Sequence, residues 1–86
     1  MRTIIENTEV TLHYSFERMG RGHYKVICEA EFLDQKKTLK TVTTDSQFID
    51  ELSECDTFEE KQEKFNDKFF DIFEAMIIEE IYFIQD

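Results

Sequence analysis

Cys28, Cys55, His13 and His23 are the side chains of this chain best suited to nucleophilic or metal chemistry, and their spacing supports neither. A thiol nucleophile needs a base and an orienting group within hydrogen-bond reach. The alternating pattern around residues 8 to 32 points Cys28 to one face of a sheet and His13 to the other. None of the four shows the CxxC or HxxxH spacing that converges ligands on zinc. His13 then reads as a surface strand residue facing Glu29, and His23 as a turn residue. The acidic residues lack the alternating DxDxDG order of a calcium loop. The expectation is a non-enzymatic protein with no catalytic residue, no metal and no cofactor.

The remaining chemistry is ionic, and it is segregated. Residues 1 to 44 hold 7 Lys and Arg against 6 Asp and Glu, whereas residues 45 to 86 hold 3 against 14, so the second half at −11 carries more than the whole net charge of −10. Such a surface favours cationic partners and repels nucleic acid and anionic membranes. Asp45, Asp50, Glu51, Glu54, Asp56, Glu59, Glu60, Glu63 and Asp67 are the candidate partner-binding residues. Carboxylates about 5 Å apart along a helix resemble phosphates along a nucleic-acid strand and would suit the basic groove of a nucleic-acid-binding protein. The competing reading is a solvated helix face partly neutralised by Lys61, Lys64 and Lys68.

Two-residue alternation places the supporting strands. Val10, Leu12, Tyr14 and Phe16 share one face; Tyr24, Val26, Cys28, Ala30 and Phe32 share one in the next run. A three-residue loop, Gly20 to Gly22 with Gly22 left-handed, pairs Met19 with His23, Phe16 with Val26, Tyr14 with Cys28 and Leu12 with Ala30. The same register sets Glu17 opposite Lys25. A third strand is expected near Thr38 to Thr43 after a turn at Asp34 to Lys37, with Phe32 opposite Leu39 and Glu31 beside Lys40. Arg2 to Ile5 reads as the start of the first strand or as an ordered arm.

The period changes at Thr44. Thr44 to Gln47 reads as a capping box opening a short helix with Phe48, Ile49 and Leu52 on one side, and Thr57 to Glu60 as a second box opening a long one. On that helix Phe58, Phe65, Phe69, Ile72, Phe73, Met76 and Ile77 form one arc, widened by Phe70. Glu60, Glu63, Asp67, Asp71 and Glu74 form a stripe opposite, about 21 Å long at ~1.5 Å per residue. The pattern breaks beyond it, where Glu80 falls in the apolar arc and Ile78 in the stripe. Either the helix ends near Glu79 and Ile81 to Ile84 run extended, or it continues with its last turn buried by a partner; the second is favoured. Ile77, Ile78, Ile81, Tyr82, Phe83 and Ile84 are therefore the candidate dimer interface, against the alternative that they fold back on the short helix.

At 86 residues with 41% hydrophobic content the chain has material for one core and hence one domain. The start lacks an apolar leader and two cysteines suit free thiols, so a cytoplasmic location is expected. The expected fold is α+β: a three-stranded antiparallel β-meander, a short helix, and a long C-terminal helix packed on one sheet face. This layout of size, charge and element order resembles small acidic proteins of phages and mobile elements, several anti-CRISPR inhibitors among them, though no motif carries the likeness. The resemblance implies inhibition of a nucleic-acid-binding defence or regulatory factor through its basic surface; the alternative is a homodimeric regulatory module built on the apolar helix end.

Overall fold

A computed structural model describes residues 1 to 85. The order is β1 (Arg2–Ile5), β2 (Thr8–Gly20), β3 (His23–Phe32), β4 (Gln35–Thr43), α1 (Ser46–Ser53) and α2 (Phe58–Gln85). The four strands make one antiparallel sheet in the order β1-β2-β3-β4. The meander thus has one strand more than its hydrophobic pattern announced. Arg2–Ile5 is a strand of its own, turned back on β2 by Glu6-Asn7, both of which carry positive φ (50° and 58°). Two consecutive left-handed residues are what a tight hairpin turn requires, and without glycine they leave no obvious mark in the sequence.

The β2–β3 hairpin pairs Phe16 with Val26, Tyr14 with Cys28 and Leu12 with Ala30, and sets Lys25 Nζ 3.6 Å from Glu17. That is the register expected from face alternation. Its tip differs by one residue, because a bulge between Arg18 and Gly20 pairs Gly20, not Met19, with His23, and the turn shrinks to Arg21-Gly22. Gly20 and Gly22 both have positive φ (114° and 75°), the conformation that costs glycine least. The β3–β4 register is a clear correction. Phe32 pairs with Gln35, Glu31 with Lys36 and Cys28 with Leu39, four residues away from the expected pairing. Leu33-Asp34 makes a two-residue turn with φ of 51° and 59°; since the displacement is even, every β4 side chain keeps its face.

One sheet face carries the core: Val10, Leu12, Tyr14, Val26, Cys28 and Ala30 are almost wholly buried under Phe48, Ile49 and Leu52 of α1 and Phe65, Phe69, Phe73, Ile77 and Ile81 of α2. The cap of α1 is Asp45, whose Oδ1 accepts the Phe48 N–H at 3.0 Å, so Thr44 is not the cap. At α2 the cap half of the expected box forms, Thr57 Oγ1 accepting from the Glu60 N–H at 3.2 Å, while the Glu60 side chain reaches one residue further back, to the Asp56 N–H at 3.3 Å.

The α2 core residues from Phe65 to Ile81 follow one another at intervals of four. Four residues advance a helix by about 40° beyond a full turn, so the buried stripe slants around the helix as it crosses the sheet. This slant explains the break in the wheel pattern. Near Ile81 the buried face has rotated to the side that Glu63 and Asp67 occupy further back. The helix therefore runs to Gln85, and Ile77 and Ile81, both 0% exposed, are covered by their own sheet.

Candidate functional site

Gln62 is the anchor that sets where the acidic face lies. It is 5% exposed. Its Oε1 accepts the Tyr14 N–H at 2.8 Å and its Nε2 donates to the Tyr14 carbonyl at 2.9 Å. β1 is short, so the β2 edge beside it is paired only as far as Leu12, where the Met1 carbonyl accepts the Leu12 N–H at 2.7 Å and the Met1 ammonium donates to the Leu12 carbonyl at 3.0 Å. The Gln62 side-chain amide then continues the ladder as one extra peptide unit would. Tyr14 Oη donates to Asn66 Oδ1 at 2.8 Å, and Phe58 stacks on His13 at 5.5 Å between ring centroids. These contacts moor the first two turns of α2 across an otherwise open strand edge.

With that flank fixed, Glu59, Glu60, Glu63, Asp67 and Asp71 face solvent, and Glu74 is half-buried where the slanting core stripe approaches it. On α1 and the connection that follows, Asp50, Glu54 and Asp56 are exposed and Glu51 is half-buried. Of the nine candidate acids, Asp45 alone makes an ion pair among the described residues, to Lys68 Nζ at 2.5 Å. The Lys68 hydrogen bond, followed by that from the Phe48 N–H, holds the Asp45 carboxyl below the usual carboxylate range. Asp45 is thus occupied as a cap and a tether between α1 and α2. The other eight carboxylates face no cation within 4.0 Å, and Lys61 and Lys64 form no ion pair among the described residues. At the N-terminal end of this face lies a hollow of about 310 Å³ lined by Met1, Phe58, Glu59, Gln62 and Glu63.

The structure divides the six residues of the apolar helix end. Ile77 and Ile81 are core, Ile78 and Ile84 are half-buried, and Tyr82 and Phe83 are 52% and 80% exposed. Tyr82 Oη donates to Glu6 Oε2 at 2.9 Å, and this bond raises the phenol above its ordinary pKa. Phe58 and Ile72, placed in the apolar arc by the sequence, are 57% and 44% exposed, both lying off the slanting stripe that packs into the core; Phe58 meets the sheet at exposed His13.

Cys28 is fully buried and burial pushes its thiol up to about 12, while Cys55 is half-buried with Sγ 3.5 Å from the Glu51 carbonyl. Burial likewise raises the Tyr14 phenol. Cys28 points into the core and His13 out of it, so the thiol and the imidazole are on opposite faces of β2 and β3. Among the described residues no three His, Cys, Asp or Glu side chains gather in a metal-binding group, and no helix is long and apolar enough to cross a membrane. Gln62 is the residue sequence reasoning missed. That it is the one uncharged position between Phe58 and Phe65 was its only signal. No protein-family model, curated protein or solved structure matches the chain.

Proposed function

We propose that this chain is a non-enzymatic acidic binding protein whose helices engage a basic surface on another protein, one that itself handles nucleic acid. The observation that carries this reading is the unpaired state of the acids: eight of the nine carboxylates on α1, its following connection and the first half of α2 have no cationic partner among the described residues. Carboxylates already satisfied within the fold would have to exchange one partner for another. Carboxylates without a cation gain their first, Glu60 while also accepting the Asp56 N–H. The rigid mounting on Gln62 and Asp45 limits the entropy lost on docking. The partner is a basic groove of the kind that binds phosphates, and the proposed action is inhibition by occupying it, in the cytoplasm. Replacing Glu60, Glu63 and Asp67 by Lys is expected to abolish recovery of the partner from the native host. Unchanged recovery would reject the proposal.

A second reading is favoured by one feature, the exposure of Tyr82 and Phe83 beside half-buried Ile78 and Ile84. In it the helix end is a self-association surface of a regulatory module. Phe83→Asp, which leaves the core untouched, is expected to convert a dimer to a monomer on this reading; a wild type already monomeric in sedimentation would dismiss it.

A further inference from the structure

β4 is the outer strand of the sheet, and its free edge differs in charge from the rest of the molecule. Gln35–Thr43 holds Lys36, Lys37 and Lys40 and no acid, in a chain of net charge −10. Because Leu33-Asp34 is a two-residue turn, Phe32 and Gln35 form the first hydrogen-bonded pair, and bonded pairs recur at Lys37, Leu39, Thr41 and Thr43. The N–H and C=O groups of Lys36, Thr38, Lys40 and Val42 therefore point away from β3, along an edge that no described element covers. The helix layer also stops short of this edge. Lys68, Ile72, Met76 and Glu80 form one row of α2 whose ends are tied to Asp45 and to Lys37 of β4, yet Ile72 is 44% exposed and Leu39 only half-buried.

We propose that β4 pairs antiparallel with β4 of a second copy, Leu39 lying on the two-fold axis, so that one sheet runs through both chains. Full overlap of the strand sets Gln35 opposite Thr43, Lys36 opposite Val42, Lys37 opposite Thr41 and Thr38 opposite Lys40. This register places no lysine directly opposite another. Moving Thr38 to the axis would oppose Lys36 to Lys40 twice, and moving Lys40 there would oppose it to itself, both unfavourable. Lys40 makes no ion pair among the described residues. In the paired sheet it stands opposite Thr38 of the other copy, whose own neighbour is Glu29, a carboxylate already 3.2 Å from Lys36 Nζ of its chain and left to be shared between the two lysines. Two strand spacings, about 10 Å, separate those backbones, a span that a lysine and a glutamate bridge over the short threonine. Self-association through the acidic faces of the helices would bring carboxylates together; this edge brings lysine to glutamate. The two-fold axis is perpendicular to the sheet, so both helical layers lie on the same side, presenting two acidic faces together. The pairing does not depend on what those faces bind.

The experiment is sedimentation across a concentration series with three variants in a Cys28→Ala, Cys55→Ser background, which removes the thiol that lies opposite Leu39 within the same sheet. Wild type is expected to be dimeric and Thr38→Pro monomeric with an unchanged far-ultraviolet spectrum, because the N–H it removes points outward and takes no part in the β3 ladder. Leu39→Cys is expected to cross-link on mild oxidation, since a non-hydrogen-bonded antiparallel pair holds its Cα atoms about 4.5 Å apart, within disulfide range. Thr41→Cys, on the same face but opposite Lys37, is expected not to. A monomeric wild type, or a dimer that survives Thr38→Pro and gives no Leu39→Cys cross-link, overturns the proposal.

Discussion

Replacing Gln62 by Leu removes the side-chain amide that completes the β2 edge while keeping similar volume and helix propensity. The perturbation therefore isolates the polar contribution. Two buried backbone groups, the Tyr14 N–H and C=O, lose partners now 2.8 Å and 2.9 Å away. An orphaned buried donor or acceptor costs about 1–3 kcal/mol, and water entering from the neighbouring hollow recovers part of it, so a net loss of about 2–4 kcal/mol is expected. Domains of this size have about 4–13 kcal/mol in total. Urea unfolding of wild type and Gln62→Leu measures the difference, and amide exchange localises it: the Tyr14 N–H is expected to lose protection while those of Val26 and Cys28 keep theirs relative to global stability. A loss below about 0.5 kcal/mol, well under the cost of even one orphaned group, with the Tyr14 amide still protected, would refute the mooring of α2 to the strand edge. The acidic face would then lack the fixed flank assigned to it.

Other consequences separate residues that look alike in the sequence. Ile81→Ala is expected to cost about 2–5 kcal/mol as a cavity in the core, and Phe83→Ala to stay within about 0.5 kcal/mol, both read from urea midpoints. Asp45 has a depressed folded-state carboxyl, so its stabilising contribution is fully present above the ordinary aspartate range and declines as pH falls through the lower folded value. Thermal unfolding of Asp45→Asn is accordingly expected to differ from wild type at neutral pH and to converge with it at the acid end. Leu33→Gly relieves a left-handed residue that carries a branched side chain, and is expected to raise stability by about 0.5–1 kcal/mol. A lower urea midpoint in that variant would show that the turn is not strained as described.

The part of the fold legible in the sequence was the part written in alternation. Val10 to Phe16 and Tyr24 to Phe32 announce their faces by alternation, and the glycine turn between them, with Glu17 opposite Lys25, selects the register among the even displacements that keep those faces. The turns at Glu6-Asn7 and Leu33-Asp34 were not legible, since each adopts left-handed backbone without glycine. They concealed β1 and displaced β4 by four residues. The length of α2 was legible from its cap and its arc, but a wheel drawn for a straight stripe misjudged Phe58, Ile72 and Ile81, whose environments depend on how the helix crosses the sheet. Of the acidic residues, identity and side of the helix were readable; their pairing was not, because Asp45 meets Lys68 only through the packing of α1 on α2. Gln62 lay beyond sequence reasoning, since its partner is backbone distant in the chain.

The most direct test of the acidic face as the working surface is the salt dependence of partner binding. The complex captured from the native host, measured for wild type and for the Glu60, Glu63 and Asp67 to Lys triple variant, is expected to weaken steeply for wild type as the screening length falls from about 8 Å towards 3 Å and to be absent for the variant at every ionic strength. Binding that is insensitive to salt, or that the triple variant retains with wild-type affinity, would contradict the account.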